Sequence, residues 1–374
     1  MRANSDAAKR YCAQLLERLV DIPSVFPGEE EIMIFLENEL ASLGLRPKRI
    51  DVAPSRFNLL CTVGSGKPRV CLNAHSDTVP PNGDSVPNAR VDGDLMYGLG
   101  SCDTKASIAA MITALLDLAS RKDLAGTVDL LISVDEEGDG VGVRTAIKQG
   151  YKCDYAIVGE PTSLHLIRVH CGLLFLALTT YGVAAHGCDP SAGISAVDRM
   201  MELVGALRTE ISKFPAHPIV GAMSLNLGEI HAGDRPNRVP NRCDARIDIR
   251  IVPPVSNEQV LEAARGVTEQ YPWASYEIEK RGEAIETPET SPMVQAILSA
   301  AHELGIATAP TGFRGWTEAE SFRTGLGIDA VVLGPGEVKQ AHSSNEFVSI
   351  SQTHLAAELY VQSVLRLLEG ESSQ

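Results

Sequence analysis

The sequence predicts an α/β protein in which a mostly parallel sheet is flanked by helices and interrupted by a smaller α+β domain. Short apolar strands alternate with helix-periodic segments up to about residue 167. The order of elements changes between residues 168 and 282, and the alternating pattern returns from residue 283 to residue 374. The predicted segments are therefore 1–167, 168–282 and 283–374, with the first and last forming one domain.

The first segment begins with two amphipathic helices. Apolar residues recur at helical spacing from Leu15 to Val20, and a second helical pattern ends at Leu43. The strands NLLCTVG and RVCLNAHSD, the helix KASIAAMITALLDLAS and the strands TVDLLISVDEE and CDYAIVGEP follow in that order. Such alternation is typical of a sheet with mostly parallel strands.

The middle segment has the order β-α-β-β-α-β. The run GLLFLALTTYG precedes a helix over ISAVDRMMELVGALRTEISKF, strands in AMSLNLGEI and CDARIDIRIV, a helix over SNEQVLEAARGVTEQ and the strand SYEIEK. This order is that of a split βαβ sandwich, which makes a complete small domain. The helix VQAILSAAHELG, the strand DAVVLGPG and the helix THLAAELYVQSVLRLLEG then resume the first pattern.

Composition and charge indicate a globular protein that acts on a small molecule. Hydrophobic residues make up 44% and charged residues 22% of the 374 residues, as in ordinary globular domains. A formal net charge of −15 disfavours binding to nucleic acid or to anionic lipid. No apolar stretch approaches about 20 residues, and the N-terminal sequence lacks the core of a secretory signal, so a cytoplasmic location is expected. The 8 cysteines form no Cys-x-x-Cys pair and are expected to be reduced.

Possible metal ligands stand after the predicted strands and turns, where functional groups collect in α/β sheets. Each alone has an ordinary explanation. The acidic run 135–137 can be a solvated turn, a histidine can be structural, and an aspartate in GLGSCD can bond its own backbone. Together they predict a site for one or two divalent metals, with Zn favoured by the imidazoles and Co or Mn also suitable. The residues are His75, Asp77, Asp103, Asp135, Glu136, Glu137, Glu160 and His342.

Several segments, in order along the chain, carry a family resemblance. They are LVDIPSV, HSDTVP, YGLGSCDTK, SVDEEGDG, VGEPT, AAHGCDPSAGISAV, NRVPNRCDARIDIRIVP and GPGEVKQAHSSNE. The set resembles the signature of the co-catalytic zinc amidohydrolase and peptidase family. That family includes acetylornithine deacetylase, succinyl-diaminopimelate desuccinylase, aminoacylase and carboxypeptidase G. The resemblance implies a zinc-exopeptidase-like catalytic domain with an inserted lid and dimerisation domain.

The resemblance also assigns ligands to two metals. One metal would be held by His75, Asp103 and Glu160. The other would be held by Glu137, His342 and the same Asp103. A bridging carboxylate suits such a pair because it can offer one oxygen to each of two ions about 3.5–4 Å apart.

Two further carboxylates would act beside the metals. Asp77 would accept a hydrogen bond from His75 and fix the tautomer of that ring. Glu136 would be the general base: it would take the proton of a metal-activated water that attacks the amide, and would then pass it to the leaving amine. Neighbours on an extended segment point in different directions, so Glu136 and Glu137 can have different roles. Asp135 is expected to be structural or solvated.

Four residues are candidates for handling the substrate. In the family, a histidine matching His186 reaches the site of the partner subunit and stabilises the oxyanion, which implies a homodimer through the inserted domain. The run GLLFLALTTYG and its neighbours are expected to give this domain an exposed strand edge. Asn237 and Arg250 would grip a substrate carboxylate, and Glu318 would attract a cationic side chain. The alternatives are a turn histidine for His186 and an exposed strand residue for Arg250.

The predicted reaction is hydrolysis of the amide bond of a small N-acyl amino acid. N-acetylornithine is favoured, which implies a role in arginine biosynthesis, because Thr-Glu-Ala at 317–319 and Asp-Ile-Arg at 248–250 most resemble acetylornithine deacetylases. The alternatives are desuccinylation of succinyl-diaminopimelate and cleavage of dipeptides or C-terminal residues. A dinucleotide-binding oxidoreductase is disfavoured because GLGSCD lacks the third glycine of that motif. A non-catalytic metal-binding scaffold is also disfavoured, because such a protein would not need the general base Glu136.

Overall fold

The computed structural model describes residues 1–83, 86 and 88–371. The chain divides into two compact units. The first contains Met1–Arg168, Thr287–Thr311 and the chain from Thr317 onward, and the second contains Val169–Glu286 and Gly312–Trp316. The second unit thus covers nearly the same residues as the predicted insertion at 168–282. It also includes a short segment, Gly312–Trp316, that no sequence pattern indicated.

The chain up to Arg168 alternates strands and helices. Its elements are α1 (Asp6–Asp21), α2 (Glu30–Ser42), β1 (Lys48–Ala53), β2 (Arg56–Gly64), β3 (Arg69–His75), β4 (Arg90–Asp92), β5 (Leu95–Tyr97), α3 (Ala106–Ala119), β6 (Thr127–Ser133), α4 (Val141–Lys148), β7 (Tyr155–Val158) and β8 (Ile167–His170). A helical turn at Ser101–Lys105 leads into α3. The short helix α4 is absent from the sequence-based prediction.

The rest of the chain first builds the second unit and then returns to the first. The next elements are β9 (Gly172–Tyr181), α5 (Ala196–Ile211), β10 (Ser224–Ala232), β11 (Arg242–Ile251), α6 (Asn257–Thr268), β12 (Ala274–Gly282) and β13 (Ile285–Glu286). They are followed by α7 (Pro292–Glu303), β14 (Thr311–Phe313), α8 (Ala319–Leu326), β15 (Asp329–Val332), β16 (Phe347–Ser349) and α9 (Ile350–Glu371). The predicted β-α-β-β-α-β order of the insertion is confirmed by β9 to β12.

The first unit is organised around a sheet in which the strands run in the order β1-β2-β6-β3-β7-β15-β8. The four strands β6, β3, β7 and β15 are parallel to one another, as predicted, and the outer strands are antiparallel. Every residue of β6 is buried, and so is all of β3 except Arg69. Continuous apolar runs of this kind are expected where helices cover both faces of a parallel sheet. The carboxyl ends of the four strands therefore meet at one edge.

Helices complete the core of the first unit. Buried side chains of α1, α2, α3, α7 and α9 pack with those of the sheet in one continuous cluster. Helix α3 is buried along almost its whole length, which matches its composition of Ala, Ile, Leu and Met. Across the part of the chain that the structure describes, no helix has both the length and the apolar character required to cross a bilayer.

The second unit has an antiparallel sheet with the order β10-β11-β9-β12. Helices α5 and α6 cover one face, and burial alternates along β11 as expected for a sheet with one covered face. Strand β9, the run GLLFLALTTYG, is interior because it pairs with both β11 and β12. The exposed edges of this sheet are therefore β10 and β12, which lie outside β11 and β9. Ile230 on β10 and Ile278 on β12 are 42% and 45% exposed.

A buried carboxylate joins strands at the other end of the first sheet. Asp129 of β6 is fully buried and accepts hydrogen bonds from Thr62 Oγ1 at 2.6 Å and from the Tyr151 hydroxyl at 2.9 Å. The guanidinium of Arg69 lies 3.3 Å from the same carboxylate. A buried charge with three such partners holds β2, β3 and the segment before β7 together.

We expect Asp129→Ala to lower the free energy of unfolding by about 2–3 kcal/mol, because hydrogen bonds to a charged group contribute about 1.5–3 kcal/mol each. The apparent melting temperature should fall by roughly 5 °C. Tyr151→Phe removes one donor and should cost about 1 kcal/mol. Asp123→Ala, in an exposed turn, is the matched control and should stay within about 0.5 kcal/mol of wild type. If Asp129→Ala has the same melting temperature as Asp123→Ala, this interpretation is wrong.

Candidate metal centre

Four neighbouring parallel strands bring possible ligands to one edge of the first unit. His75 is the last residue of β3, while Glu137, Glu160 and His342 follow β6, β7 and β15. Asp103 lies in the helical turn between β5 and α3. The order β6-β3-β7-β15 sets these strand ends side by side. This edge is where ligand sites form in sheets of this class.

His75, Asp103 and Glu160 form the first cluster. The Nε2 atom of His75 lies 3.1 Å from Oδ1 of Asp103 and 3.9 Å from Oε1 of Glu160. His75 is buried, at 2% exposure. The three potential ligand atoms lie within 4.8 Å of one another. A single ion with ligand distances of about 2.0–2.2 Å can therefore reach all three after small adjustments.

Asp103, Glu137 and His342 form the second cluster. The Nε2 atom of His342 lies 3.1 Å from Oε1 of Glu137 and 3.5 Å from Oδ2 of Asp103. Asp103 thus directs Oδ1 to the imidazole of His75 and Oδ2 to that of His342. One carboxylate that faces two ligand sets in this way has the geometry of a bridging ligand.

The residues of both clusters fit divalent cations. The Oε1 atom of Glu160 is buried and has no hydrogen-bond partner within the described residues. A buried carboxylate oxygen without a hydrogen-bond partner lowers the stability of the fold unless a cation binds to it. The hydrogen bond between His342 and Glu137 raises the pKa of His342 to about 9, which reflects the negative charge concentrated at the site. Imidazole and carboxylate donors in these numbers suit two ions such as Zn²⁺.

Asp77 contacts the ring of His75 through its backbone carbonyl, with its carboxylate slightly farther away. The Nδ1 atom of His75 donates to the backbone carbonyl of Asp77 at 3.0 Å, whereas the Asp77 carboxylate is 3.6 Å away from it. The main chain therefore sets the tautomer that leaves Nε2 available to a metal. The Asp77 carboxylate instead accepts the backbone N–H of Glu137 at 2.9 Å and that of Glu136 at 3.3 Å. Asp77 thus ties the end of β3 to the acidic turn after β6.

Asp135 is a buried, structural member of the acidic turn rather than a solvated one. It is 3% exposed and has a φ of 75°. Its Oδ2 atom accepts the backbone N–H groups of Asp139 at 3.2 Å and Val141 at 3.1 Å. These bonds close the turn and fix the direction in which Glu136 and Glu137 leave it.

Arg56 and Glu29 support this turn, and the sequence analysis did not identify either. The guanidinium of Arg56 lies 2.8 Å from Oδ1 of Asp135 and makes two hydrogen bonds, of 2.9 and 2.5 Å, with the fully buried Glu29. It also lies 4.9 Å from the ring centre of Phe26. No local pattern signals these contacts, because the partners are far apart in the sequence. The only signal available was a charged residue at the start of an apolar strand.

Glu136 is half-buried beside the first cluster. Burial raises the pKa of its carboxyl well above the usual range; His75 opposes this effect, and the carboxylates of Glu137 and Asp103 add to it. Asp77 holds its backbone N–H. The carboxyl of Glu136 therefore lies within electrostatic reach of His75, Glu137 and Asp103.

The second unit places His186 and Asn237 together. The backbone N–H of Gly187 donates to the carbonyl of Asn237 at 2.7 Å, and both candidate side chains are exposed. Both stand near the end of the sheet where β11 begins. Arg250 lies near the other end of β11, where its Nε donates to Asp248 at 3.0 Å.

An extended strand therefore separates two residues that were predicted to act together. At about 3.3 Å per residue, the stretch of β11 from Arg242 to Arg250 spans roughly 26 Å. Asn237 precedes that stretch. Within one chain, the length of β11 therefore separates Arg250 from the segment that carries Asn237.

Glu318 is fully buried in the first unit. Its Oε2 atom accepts a hydrogen bond of 2.5 Å from the hydroxyl of Ser133, the last residue of β6. Asn73 of β3 donates to the same hydroxyl at 3.1 Å. Burial raises the pKa of Glu318 to about 7. Glu318 has no exposed surface in this position. The structure therefore does not favour the direct contact with a substrate ammonium that the sequence led us to expect.

Known proteins are similar to this chain in sequence and in fold. Residues 71–366 match the model of peptidase family M20/M25/M40. An acetylornithine deacetylase from Aliivibrio fischeri strain MJ11 is 32% identical over 339 residues, which cover 87% of this chain and 88% of that protein. An M20 family metallo-carboxypeptidase from Sulfolobus solfataricus has a TM-score of 0.83 at 18% identity, with 96% of this chain and 99% of that chain covered. A tripeptidase from Staphylococcus aureus gives a TM-score of 0.82 at 21% identity, with the same coverage.

The family match and the relative each span most of the chain, and the solved structures share the fold of both units. The family likeness read from the sequence motifs is thereby confirmed. The chain belongs to peptidase family M20/M25/M40 and is a hydrolytic enzyme of the metallopeptidase and amidohydrolase type.

Proposed function

We propose that this enzyme hydrolyses the amide bond of a small N-acyl amino acid, with N-acetylornithine as its favoured substrate. The observation that carries the proposal is Asp103, which directs one carboxylate oxygen to each of two ligand clusters beside the half-buried Glu136. A general base next to two cation sites suits the attack of water on an amide.

The cofactors we propose are two divalent ions, Zn²⁺ first, with Co²⁺ or Mn²⁺ able to use the same donors. His75, Asp103 and Glu160 would hold one ion, and Asp103, Glu137 and His342 would hold the other. When bound, such ions lower the pKa of water and polarise a carbonyl group.

The chain's own residues supply the proton transfers. Glu136 accepts the proton of the attacking water and returns it to the leaving amine. Asp77 fixes the backbone of Glu136 and Glu137 together, so the base keeps its place relative to a ligand. The pair of Asp135 and Arg56 holds the same turn from its buried side.

Two observations support the proposed substrate. The acetylornithine deacetylase that is 32% identical covers most of this chain. Arg250 of β11 offers a guanidinium that can bind the α-carboxylate of the substrate with two parallel hydrogen bonds. We do not assign recognition of the ornithine side chain to Glu318, because that carboxylate is buried against β6. This substrate would make the protein a cytoplasmic enzyme of arginine biosynthesis.

We also propose a homodimer formed through the second unit. Strands β10 and β12 are the edges of its sheet, and each exposes an isoleucine, Ile230 or Ile278. Pairing two copies along such an edge would satisfy its backbone groups. His186 and Asn237 lie together, far along β11 from Arg250, which suits action at the partner subunit's site rather than at their own.

The first prediction from the proposed function concerns the general base. Glu136→Gln should reduce kcat by about 10²–10⁴-fold, because an amide cannot accept the proton of water. Elemental analysis should still find two divalent ions per chain, and melting should change little. Asp139→Asn, an exposed neighbour in the same turn, is the matched control and should keep wild-type activity. Near-normal turnover of the metal-loaded Glu136→Gln protein would remove Glu136 from the mechanism.

The second prediction concerns assembly. His186→Ala and Glu136→Gln proteins should each be nearly inactive, but mixed subunits should recover about a quarter of wild-type activity, because half of the dimers are hybrids and each hybrid has one complete site. Differently tagged subunits show whether exchange has occurred. Hybrid dimers without recovered activity would show that His186 acts within its own chain.

The third prediction concerns the substrate. The value of kcat/KM should be at least about tenfold higher for N-acetylornithine than for N-succinyl-diaminopimelate, N-acetylmethionine or a dipeptide. Arg250→Lys should raise KM for every substrate that has an α-carboxylate, since lysine cannot bind it bidentately. Glu318→Gln should lower turnover without changing the ranking. If the wild type prefers the succinylated or the neutral compound, the choice of N-acetylornithine fails while amide hydrolysis stands.

A further inference from the structure

The orientation of Asp103 requires support from outside its own turn. Asp103 lies in the helical turn Ser101–Lys105, but its φ of −118° and ψ of 94° are not helical. Gly100, which precedes the turn, has a left-handed φ of 78°. The helical hydrogen-bond pattern therefore cannot fix the carboxylate that faces both ligand clusters. Another part of the chain must hold this backbone.

Glu346 provides that support. One oxygen, Oε2, accepts the backbone N–H of Gly100 at 2.8 Å. The other, Oε1, accepts those of Cys102 at 2.8 Å and Asp103 at 3.0 Å. Glu346 is only 2% exposed. Three N–H donors that converge on both oxygens of one buried carboxylate are strong, directional bonds that water does not weaken.

The position of Glu346 is itself fixed by the strand that leads to Asp103. Glu346 directly precedes β16, and β16 pairs with β5, so that Phe347 stands opposite Tyr97. The backbone N–H of Gly98 donates to the carbonyl of Glu346 at 3.1 Å. These contacts therefore join the chain entering the turn directly to the residue whose carboxylate holds it.

The same short segment carries a ligand of the second cluster. His342 stands four residues before Glu346, and its Nε2 atom lies 3.5 Å from Oδ2 of Asp103. A shift of this segment would move His342 directly and Asp103 through the three hydrogen bonds. Since Asp103 belongs to both clusters, both would change.

We infer that Glu346 is a positioning residue for the metal centre: it fixes Asp103 in the orientation that serves both ions and thereby couples their affinities. This inference rests on the two-metal part of the proposed function. It assigns Glu346 no contact with an ion or with the substrate. Its effect is carried by the backbone N–H groups of Gly100, Cys102 and Asp103.

The test compares Glu346→Gln and Glu346→Ala with a control, Glu337→Gln. Glu337 lies on the same segment, but its side chain is exposed and pairs with Lys339 at 2.7 Å. Glutamine keeps the size of the side chain but replaces one acceptor oxygen with a donor group, so at least one N–H loses its partner. Alanine removes both oxygens.

Metal binding is measured without substrate, by competition with a chelator for Zn²⁺ and by the visible spectrum of the Co²⁺-loaded protein. We expect both Zn²⁺ affinities of Glu346→Gln to fall by about 10–100-fold, as is usual for residues that support ligands. Alanine should have a larger effect, the Co²⁺ spectrum should change, and Glu337→Gln should match wild type. Melting of the metal-free proteins is recorded in parallel.

Three outcomes would overturn the inference. They are wild-type affinity at both sites in Glu346→Gln, weakening at one site only, and a lower melting temperature of the metal-free protein with unchanged affinities. The last would assign Glu346 a purely structural role. A wild-type protein that binds no divalent ion would instead remove the metal part of the proposed function, so the two failures are distinguishable.

Discussion

The site depends on keeping several carboxylates within a few ångströms of one another in a partly buried place. Such charges repel one another more strongly there than in water. The carboxylates at the site have two kinds of partner, which offset this repulsion. Some accept backbone N–H groups, while the others turn their oxygens toward imidazoles and the ligand clusters. The carboxylates that accept backbone N–H groups are Asp77, Asp135 and Glu346. Each of them stabilises a segment that carries a ligand or the base.

The elements that sequence reasoning predicted are those whose signal is local. Strands β3 and β6 are buried on both faces, so their continuous apolar runs were recognisable in the sequence. The possible ligands that follow these runs indicated the edge of the sheet at which the site lies. The apolar residues of CDARIDIRIV likewise predicted strand β11. Helix α4 lacked such a signal, since VGVRTAIK is short and rich in β-branched residues and begins after Gly140, which has a left-handed φ of 66°.

Features that depend on long-range contacts could not be predicted in this way. The ion pair of Arg56 with Asp135 joins the start of β2 to the turn after β6, and no spacing rule connects those positions. The exposed edges of the second sheet depend on strand order, which periodicity does not specify. Asn237 and Arg250 were paired by the resemblance of their motif to a family signature, and that motif does not show that the extended strand β11 lies between them.

The backbone of Asp135 restricts what evolution can place at the start of the acidic turn. A φ of 75° is tolerated by glycine, asparagine and aspartate and by few other residues. The ion pair with Arg56 and the bonds to the N–H groups of Asp139 and Val141 require a charged acceptor at the same position. Glycine lacks the acceptor and asparagine lacks the charge. Two unrelated demands, one on conformation and one on electrostatics, leave aspartate as the single residue type that satisfies both.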